Sequence, residues 1–221
     1  MRKLVARLFG GSCFLCRGAA QGLLCAACDA DLPRLAGARC PRCALESPRG
    51  EVCGRCLTDR PHYDATVAAL AYEFPADVLV HSLKFRGELA LAGLLGEMLR
   101  EKIGLETAEL VVPVPLSAAR LRGRGYNHAL EIARHLGRAV DFQLCVRERD
   151  TPAQMDLPYD ERRRNVRGAF RCTRALAGHS VAVVDDVMTT GATLSEVAST
   201  LKAAGASRVV NWVAARTFPP R

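Results

Sequence analysis

The sequence of 221 residues has room for one domain of medium size and a smaller one, and its 49% hydrophobic and 24% charged residues are typical of a globular protein. No stretch approaches the roughly 20 apolar residues of a transmembrane helix. The apolar segment 4–9 is too short for a secretory signal and is interrupted by Arg7. These features exclude a membrane-spanning protein and predict a cytoplasmic one without membrane insertion. The formal net charge of +8 favours an acidic partner, such as nucleic acid or a phosphorylated substrate.

Eight of the ten cysteines form four C-x-x-C pairs near the start of the chain. Each C-x-x-C turn presents two sulfurs to one ion, and two such turns complete a tetrahedral zinc site with four thiolate ligands. Disulfides fit a secreted chain, and a redox C-x-x-C normally occurs once rather than four times. Residues 1–62 are therefore predicted to form a cysteine-rich double zinc ribbon with two structural Zn²⁺ ions. The predicted ligands are Cys13, Cys16, Cys25, Cys28, Cys40, Cys43, Cys53 and Cys56.

Two properties of this head stay open at the level of sequence. The C-x-x-C turns can pair sequentially, first with second and third with fourth, or interleave in a cross-brace. Zinc ribbons bind nucleic acid in some proteins and brace a neighbouring domain in others. The head contains only Phe9 and Phe14 for base stacking, which favours a structural or interaction role. Eight thiolates subtract eight charges and two Zn²⁺ ions add four, so the net charge falls to about +4 and the charge argument for nucleic acid weakens.

Residues 63–221 alternate between apolar strand-like runs and amphipathic segments. This order predicts an α/β domain with a mostly parallel sheet that is covered on both faces. Ligands of such sheets bind outside the carboxyl ends of the strands. Cys145 and Cys172 stand alone in apolar surroundings and are predicted to be inert core residues. The expected strands are 65–72, 110–115, 144–147, 180–186 and 208–215, and the expected helices are 77–85, 89–103 and 127–140.

The segment 181–193 has the strongest signal in the chain. A buried apolar strand leads to two adjacent acids, Asp185 and Asp186, and a small hydroxylated loop connects them to a helix. Thr193 and Glu196 are predicted to form a capping box. Free N–H groups at a helix N-terminus bind phosphate, and carboxylates at a strand end suit vicinal hydroxyls or Mg²⁺. The segment therefore predicts a site for a ligand with both a sugar diol and a phosphate.

This segment resembles the phosphoribosyl-pyrophosphate (PRPP) motif of type I phosphoribosyltransferases. The resemblance implies that Asp185 and Asp186, the catalytic candidates, hold the ribose hydroxyls, with Mg²⁺ accompanying PRPP. It also implies that the 5′-phosphate lies in the loop that is formed by Thr189, Thr190, Gly191, Ala192 and Thr193.

Two further stretches are expected to face the same site. Arg120, Arg122 and Arg124 alternate with glycines in a predicted mobile basic loop that can bind phosphate or remain a solvated turn. Segment 151–170 lacks periodicity over twenty residues, and loops of this length are usually lids or disordered. The lid residues that can close over a pyrophosphate are Gln154, Arg162, Asn165 and Arg167.

Together these motifs resemble the ComF family of competence-associated, phosphoribosyltransferase-like proteins. The matching motifs are the cysteine pairs, HSLKFRG at 81–87, VPVPL at 112–116, RGYN at 124–127, the segment 154–170 and the PRPP motif. The resemblance implies a type I phosphoribosyltransferase fold behind a zinc-binding head, and a link to uptake of single-stranded DNA in natural transformation. It places Pro115, Leu116 and Ser117 at the pyrophosphate and residues 151–167 in the lid, with Lys84, Arg124, Arg162 and Asn165 as further candidates near them.

Three functions remain compatible with the sequence. The first is a Mg²⁺-dependent, PRPP-consuming transferase with an unknown acceptor. The second is a non-catalytic DNA-uptake factor that contacts single-stranded DNA or competence proteins, whose DNA affinity would fall with salt and with neutralisation of Arg162, Arg163 and Arg164. The third is a PRPP-sensing regulator. No general base for an acceptor stands out, since His81 and His128 are ordinary capping or surface histidines by position.

Overall fold

The computed structural model describes residues 11–150 and 165–219. In the cysteine-rich head, the short strands β1 (Gly11–Ser12) and β2 (Ala19–Ala20) pair antiparallel. Two one-turn helices follow, α1 (Ala26–Ala30) and α2 (Gly54–Thr58), and each begins directly after a cysteine. The proposed domain boundary near residue 62 lies between α2 and the first strand of the main sheet. Within the described residues, no helix has the length and apolar character that crossing a bilayer requires.

The main sheet has four parallel strands: β3 (Ala65–Ala71), β4 (Leu110–Pro113), β7 (Ser180–Met188) and β8 (Arg208–Arg216). Their order across the sheet is β3, β8, β7, β4. The predicted parallel α/β sheet is thereby confirmed. An antiparallel pair, β5 (Cys145–Arg147) and β6 (Phe170–Cys172), stands apart from it. The helices of this part are α3 (Ala76–Arg86), α4 (Ala90–Ile103), α5 (Ala118–Arg124), α6 (His128–Ala133) and α7 (Ala192–Ala203).

The two faces of the sheet form two separate hydrophobic clusters because successive residues of a strand point to opposite sides. Val181 and Val183 pack with α7 on one face, whereas Ala182 and Val184 pack with α3, α4 and α6 on the other. The strand is nearly continuous in apolar residues because both faces are covered. The two halves of the head pack into different clusters. Leu32 belongs to the cluster that contains α3, α4 and α6, whereas the cysteines of the second half belong to the cluster that contains α7.

Several predicted elements need correction. Strand β7 continues to Met188, so the acid pair lies within its paired region, with Asp185 opposite Val213 of β8. Helix α6 ends at Ala133 rather than near 140, and Gly137 then adopts a φ of +69°. Cys145 does not stand alone, because it lies directly opposite Cys172 in the β5–β6 ladder.

The packing of α4 against the end of α6 yields a prediction about two glycines of α4. A Cβ at Gly96 would lie 2.6 Å from His135 Cβ and 2.8 Å from the Ile132 carbonyl oxygen, whereas a Cβ at Gly93 would be no closer than 3.5 Å to His135. We expect Gly96→Ala to lower the free energy of unfolding by about 1–3 kcal/mol. Gly93→Ala should raise it by about 0.5 kcal/mol. Urea unfolding of both variants measures this, and equal effects would contradict the described packing.

Candidate functional site

The eight predicted zinc ligands form two groups of four cysteines. In each group the Sγ atoms all lie within 4.8 Å of one another. Sulfurs around a tetrahedral ion with bonds of about 2.3 Å are roughly 3.8 Å apart. The Sγ–Sγ distances of 3.7 Å between Cys16 and Cys25 and 3.6 Å between Cys43 and Cys53 fit this geometry. The donor set therefore fits Zn²⁺ in two closed structural sites, which carry no free coordination position for chemistry.

The pairing of the C-x-x-C turns is sequential. The first group contains Cys13, Cys16, Cys25 and Cys28, and the second contains Cys40, Cys43, Cys53 and Cys56. The interleaved cross-brace is thus not the arrangement of this fold. We call these two halves of the head the first ribbon and the second ribbon.

At the carboxyl end of β7, the Asp186 side chain is only 3% exposed and lies between two basic groups. Lys84 Nζ donates to Asp186 Oδ2 at 2.9 Å, and His128 Nε2 lies 3.4 Å from Oδ1. The backbone N–H of Asp186 donates to Asp185 Oδ1 at 2.9 Å. Ligand atoms of His128, Asp185 and Asp186 lie within 4.8 Å of one another. The acid pair is therefore held in place by α3 and α6, on which Lys84 and His128 lie.

The two carboxyl groups have opposite pKa shifts. Burial, and then the adjacent Asp186 carboxylate, raises the pKa of Asp185 well above its usual value. Burial also acts to raise the pKa of Asp186, but His128 and Lys84 outweigh it and hold that pKa well below its usual range. The ionised form is therefore favoured at Asp186 and disfavoured at Asp185.

The loop after β7 leads directly into α7, and we call residues 189–193 the phosphate loop. Gly191 precedes the helix with a φ of +82°, and Thr190 Oγ1 accepts a hydrogen bond from the Ala192 N–H at 3.2 Å. The predicted capping box is wrong, because Thr193 already lies inside the helix and Glu196 instead accepts a bond from the Gly168 N–H at 2.6 Å. A helix of twelve residues thus begins at the loop with its N–H groups directed to it.

The segment that follows β4 lies beside the acid pair in the sheet. The Val114 N–H donates to the Val184 carbonyl at 2.9 Å, one residue before Asp185. Pro115 and Leu116 follow, and Ser117 is buried. The Ser117 hydroxyl donates to Asp150 at 2.6 Å and accepts the Arg120 N–H at 3.4 Å, which starts helix α5.

The predicted basic loop at 120–125 is a helix instead. Ser117 caps α5 at its start, and Gly125 ends it in the left-handed region with a φ of +81°. Arg124 lies in the last turn, where its guanidinium contacts His128 Nδ1 at 2.9 Å and lies 5.3 Å from the centre of the Phe85 ring. A cavity of about 380 Å³ opens beside it, lined by Lys84, Phe85, Gly87, Arg120, Gly123, Arg124 and Tyr126. Three cationic side chains thus border a cavity next to Asp186.

Part of the predicted lid lies outside the described residues, including Gln154 and Arg162. At its C-terminal edge, the Asn165 carbonyl oxygen accepts a hydrogen bond from Arg149 at 3.5 Å. The Gly168 N–H donates to Glu196 of α7. The end of this segment is therefore attached to the helix that follows the phosphate loop.

Sequence reasoning missed two basic groups of the site. His128 is 4% exposed and contacts Asp186, whereas His81 is exposed and its ring lies against that of Phe85 in a tilted arrangement with ring centres 4.8 Å apart. Burial, and then the neighbouring Arg120, lowers the pKa of Arg147 to about 10, while Asp150 and then Asp185 act in the opposite direction. The RGYN motif next to His128 was the available signal for that residue; nothing in the local sequence indicated Arg147.

The predicted cap at Asn127 is confirmed and yields a prediction about stability. Its Oδ1 accepts the N–H groups of Ala129 at 3.0 Å and Leu130 at 3.4 Å, and its Nδ2 donates to the Val114 carbonyl at 3.0 Å. We expect Asn127→Ala to lower the free energy of unfolding by about 1–2 kcal/mol, measured by urea unfolding. Arg134→Ala, which removes an exposed ion pair from the same helix region, should stay within about 0.5 kcal/mol and serves as the control. Equal effects would contradict the capping role.

Both parts of the chain are similar to known protein families. Residues 4–57 match the double zinc ribbon domain family, and residues 107–216 match the phosphoribosyl transferase domain family. The DNA utilization protein YhgH of Salmonella typhimurium is 37% identical, covering 94% of this chain and 98% of that protein. Competence protein F of Haemophilus influenzae is 30% identical with the same coverage. The solved structure of an allosteric regulatory enzyme of purine biosynthesis aligns with 56% of this chain and with 25% of the enzyme's chain. The aligned residues are 24% identical, and the TM-score of 0.39 is too low to support an inference.

The fold, the two tetrathiolate groups and these matches define a phosphoribosyltransferase-type α/β domain that follows a double zinc ribbon. With relatives at 30–37% identity over most of its length, the chain belongs to the ComF family, as the sequence motifs predicted.

Proposed function

We propose that this protein binds PRPP together with Mg²⁺ and is a type I phosphoribosyltransferase that acts in the uptake of DNA. The observation that carries the proposal is the continuity of the acid pair, the phosphate loop and α7. Asp185 and Asp186 lie near the end of the central strand, and a few residues later the chain reaches the N-terminus of a helix of twelve residues. An anion and a sugar diol are thus accommodated side by side.

The phosphate loop is proposed to hold the 5′-phosphate. Its backbone N–H groups and the positive end of the α7 dipole favour a dianion, and the hydroxyls of Thr189, Thr190 and Thr193 add donors. Asp186, which is ionised and fixed by Lys84 and His128, accepts from a ribose hydroxyl. Asp185, the preceding residue of the same strand, contacts the same diol.

The pyrophosphate is proposed to lie toward the cationic cavity. Pro115, Leu116 and Ser117 connect the neighbouring strand to α5, and Arg124 and Lys84 border the cavity. Mg²⁺ bound with PRPP would neutralise charge that develops on the departing pyrophosphate. The carboxyl pair and the oxygen-rich ligand fit a hard cation of this kind. Arg162 and Asn165 remain candidates for contacts from the lid.

In the proposed reaction, an acceptor nucleophile forms a bond to C1 of PRPP while the bond from C1 to the pyrophosphate oxygen breaks. Positive charge develops on the sugar ring, and the ionised Asp186 stabilises it electrostatically. Arg124 and Lys84 receive the pyrophosphate, and exclusion of water protects the sugar cation from hydrolysis.

The link to DNA rests on the relatives, which are named for DNA utilization and competence. We propose a role of this protein in the same process. Single-stranded DNA, another competence protein, or both are the partners that this role requires. A DNA-uptake factor that binds PRPP without consuming it is the second candidate function.

Pyrophosphate release distinguishes the two candidates. Zinc-loaded protein is incubated with PRPP, Mg²⁺ and a panel of nucleobases, nucleosides and single-stranded oligonucleotides. The transferase predicts acceptor-dependent pyrophosphate release that is lost in Asp185→Asn/Asp186→Asn. PRPP binding without release across the panel would favour the non-catalytic factor, whose DNA affinity should fall steeply as salt rises from about 50 to about 200 mM.

A further inference from the structure

We propose that the second ribbon positions the phosphate loop through Arg216 and Arg55, so that zinc in this ribbon and a phosphate ligand in the loop stabilise each other. The inference rests on the proposed PRPP site and adds two positioning residues to it. It also assigns different tasks to the two zinc sites, because the ribbon residue that contacts the loop, Arg55, lies in the second ribbon.

Arg216 connects the second ribbon to the phosphate loop beneath the surface. Its side chain is 1% exposed, and its Nε donates to the Cys43 carbonyl at 2.8 Å. Its Nη1 donates to the Met188 carbonyl at 2.8 Å and to that of Thr189. One rigid guanidinium thus links the backbone of a zinc-ligand residue to the first residue of the loop.

The next loop residues contact the same side of the molecule. Arg55, which lies between zinc ligands in α2, donates to the Thr190 carbonyl at 3.2 Å. A Cβ at Gly191 would lie 2.8 Å from the hydroxyl oxygen of Tyr63, a buried residue that follows the ribbon. Three consecutive loop residues thus contact Arg55 of the ribbon or the buried residues Arg216 and Tyr63 beside it.

The first ribbon provides an internal comparison because it lies on the other face of the sheet. Its side chains Phe14, Leu15 and Leu32 pack with the cluster that contains α3 and α4. The second ribbon shares its cluster with Tyr63 and α7 instead. A ligand in the phosphate loop should therefore influence zinc in the second ribbon alone. By linkage, the effect of ligand on zinc equals the effect of zinc on ligand.

The test measures cysteine protection in the full wild-type chain. A zinc-selective pyridyl chelator that leaves Mg²⁺ in solution removes zinc, N-ethylmaleimide traps the freed thiols, and peptide mass spectrometry follows each cysteine over time. With PRPP and Mg²⁺ present, we expect alkylation of Cys40, Cys43, Cys53 and Cys56 to slow about fivefold or more. Alkylation of the four cysteines of the first ribbon should not change.

Two variants show whether the arginines carry the coupling. Arg55→Ala should abolish most of the protection and weaken PRPP binding, whereas Arg49→Ala should not, since its side chain is 83% exposed on the same ribbon. Arg216→Lys keeps the positive charge but loses the planar set of guanidinium N–H donors, so it should also reduce the protection of the second ribbon's cysteines. Calorimetry on the same samples separates the possible failures. If PRPP binds but protects the cysteines of both ribbons equally, or protects neither, this inference is overturned and the proposed function is not. If PRPP does not bind, both are overturned.

Discussion

Replacing Cys40 with serine is expected to reduce the zinc content from two ions to one per chain and to unfold the second ribbon. Cys40 is 1% exposed, and its Sγ also accepts the Cys53 N–H at 3.3 Å. Structural zinc contributes about 10–16 kcal/mol of apparent binding free energy in zinc-finger peptides, and a head this small has few apolar residues to replace it. Elemental analysis gives the zinc content, and circular dichroism during heating gives the stability.

Cys145→Ser and Cys172→Ser are the matched controls for this prediction. These two cysteines lie in the β5–β6 ladder, apart from both tetracysteine groups. Each control chain should retain two zinc ions per molecule. A Cys40→Ser chain with two tightly bound zinc ions, or a control chain that loses one, would contradict the assignment of ligands.

Lys84→Met is expected to lower the free energy of unfolding by about 3–5 kcal/mol at pH 7, because it leaves the carboxylate of Asp186 buried without its closest cation. The Lys84 side chain is 25% exposed and that of Asp186 3%, so solvent replaces the lost partner poorly. Urea unfolding at a series of pH values measures both the size and the pH dependence of the effect.

The pH dependence follows from the pKa of Asp186, which is held below its usual value in the folded wild-type protein. Such a group stabilises the fold above its unfolded pKa of about 3.9, and this contribution is lost as pH falls through the lower folded pKa. In Lys84→Met the folded pKa rises, so the deficit relative to wild type should be largest toward neutral pH and should shrink as pH falls through the range between the two folded pKa values. A deficit that does not depend on pH would indicate lost packing instead of a lost ion pair.

The ion pair of Lys202 with Asp64 provides a matched control. Its N–O distance is 2.7 Å, but the two side chains are 33% and 31% exposed, so water screens the charges. Lys202→Met should therefore cost no more than about 1 kcal/mol. If both substitutions have equal effects, burial does not set the strength of the Lys84–Asp186 pair.

Short-range sequence patterns predicted the strands and helix caps that depend on neighbouring residues. The apolar run before Asp185 lies in the central strand because both faces of that strand are buried, and Asn127 caps a helix as its side-chain chemistry favours. The spacing of the cysteines indicated two zinc sites but not the pairing of the C-x-x-C turns, since sequential and interleaved sites use the same four turns.

The errors arise where contacts distant in sequence decide the outcome. Glu196 could have capped α7, but the Gly168 N–H, 28 residues away, is its partner. The arginine–glycine segment 120–125 has no apolar periodicity, yet a serine cap at one end and a left-handed glycine at the other make it a helix. The contact of Lys84 with Asp186 spans 102 residues, so that no local pattern contains it.

Isothermal titration of PRPP with Mg²⁺ into zinc-loaded protein tests the central claim most directly. Wild-type protein should bind PRPP saturably at one site, and Asp185→Asn/Asp186→Asn should lose at least about a hundredfold in affinity because the ionised acceptor of Asp186 and the carboxyl group of Asp185 both disappear. Lys202→Met should bind as wild type does. Absence of binding to folded wild-type protein with two zinc ions, or equal affinity in the aspartate variant, would contradict the assignment of this site to PRPP.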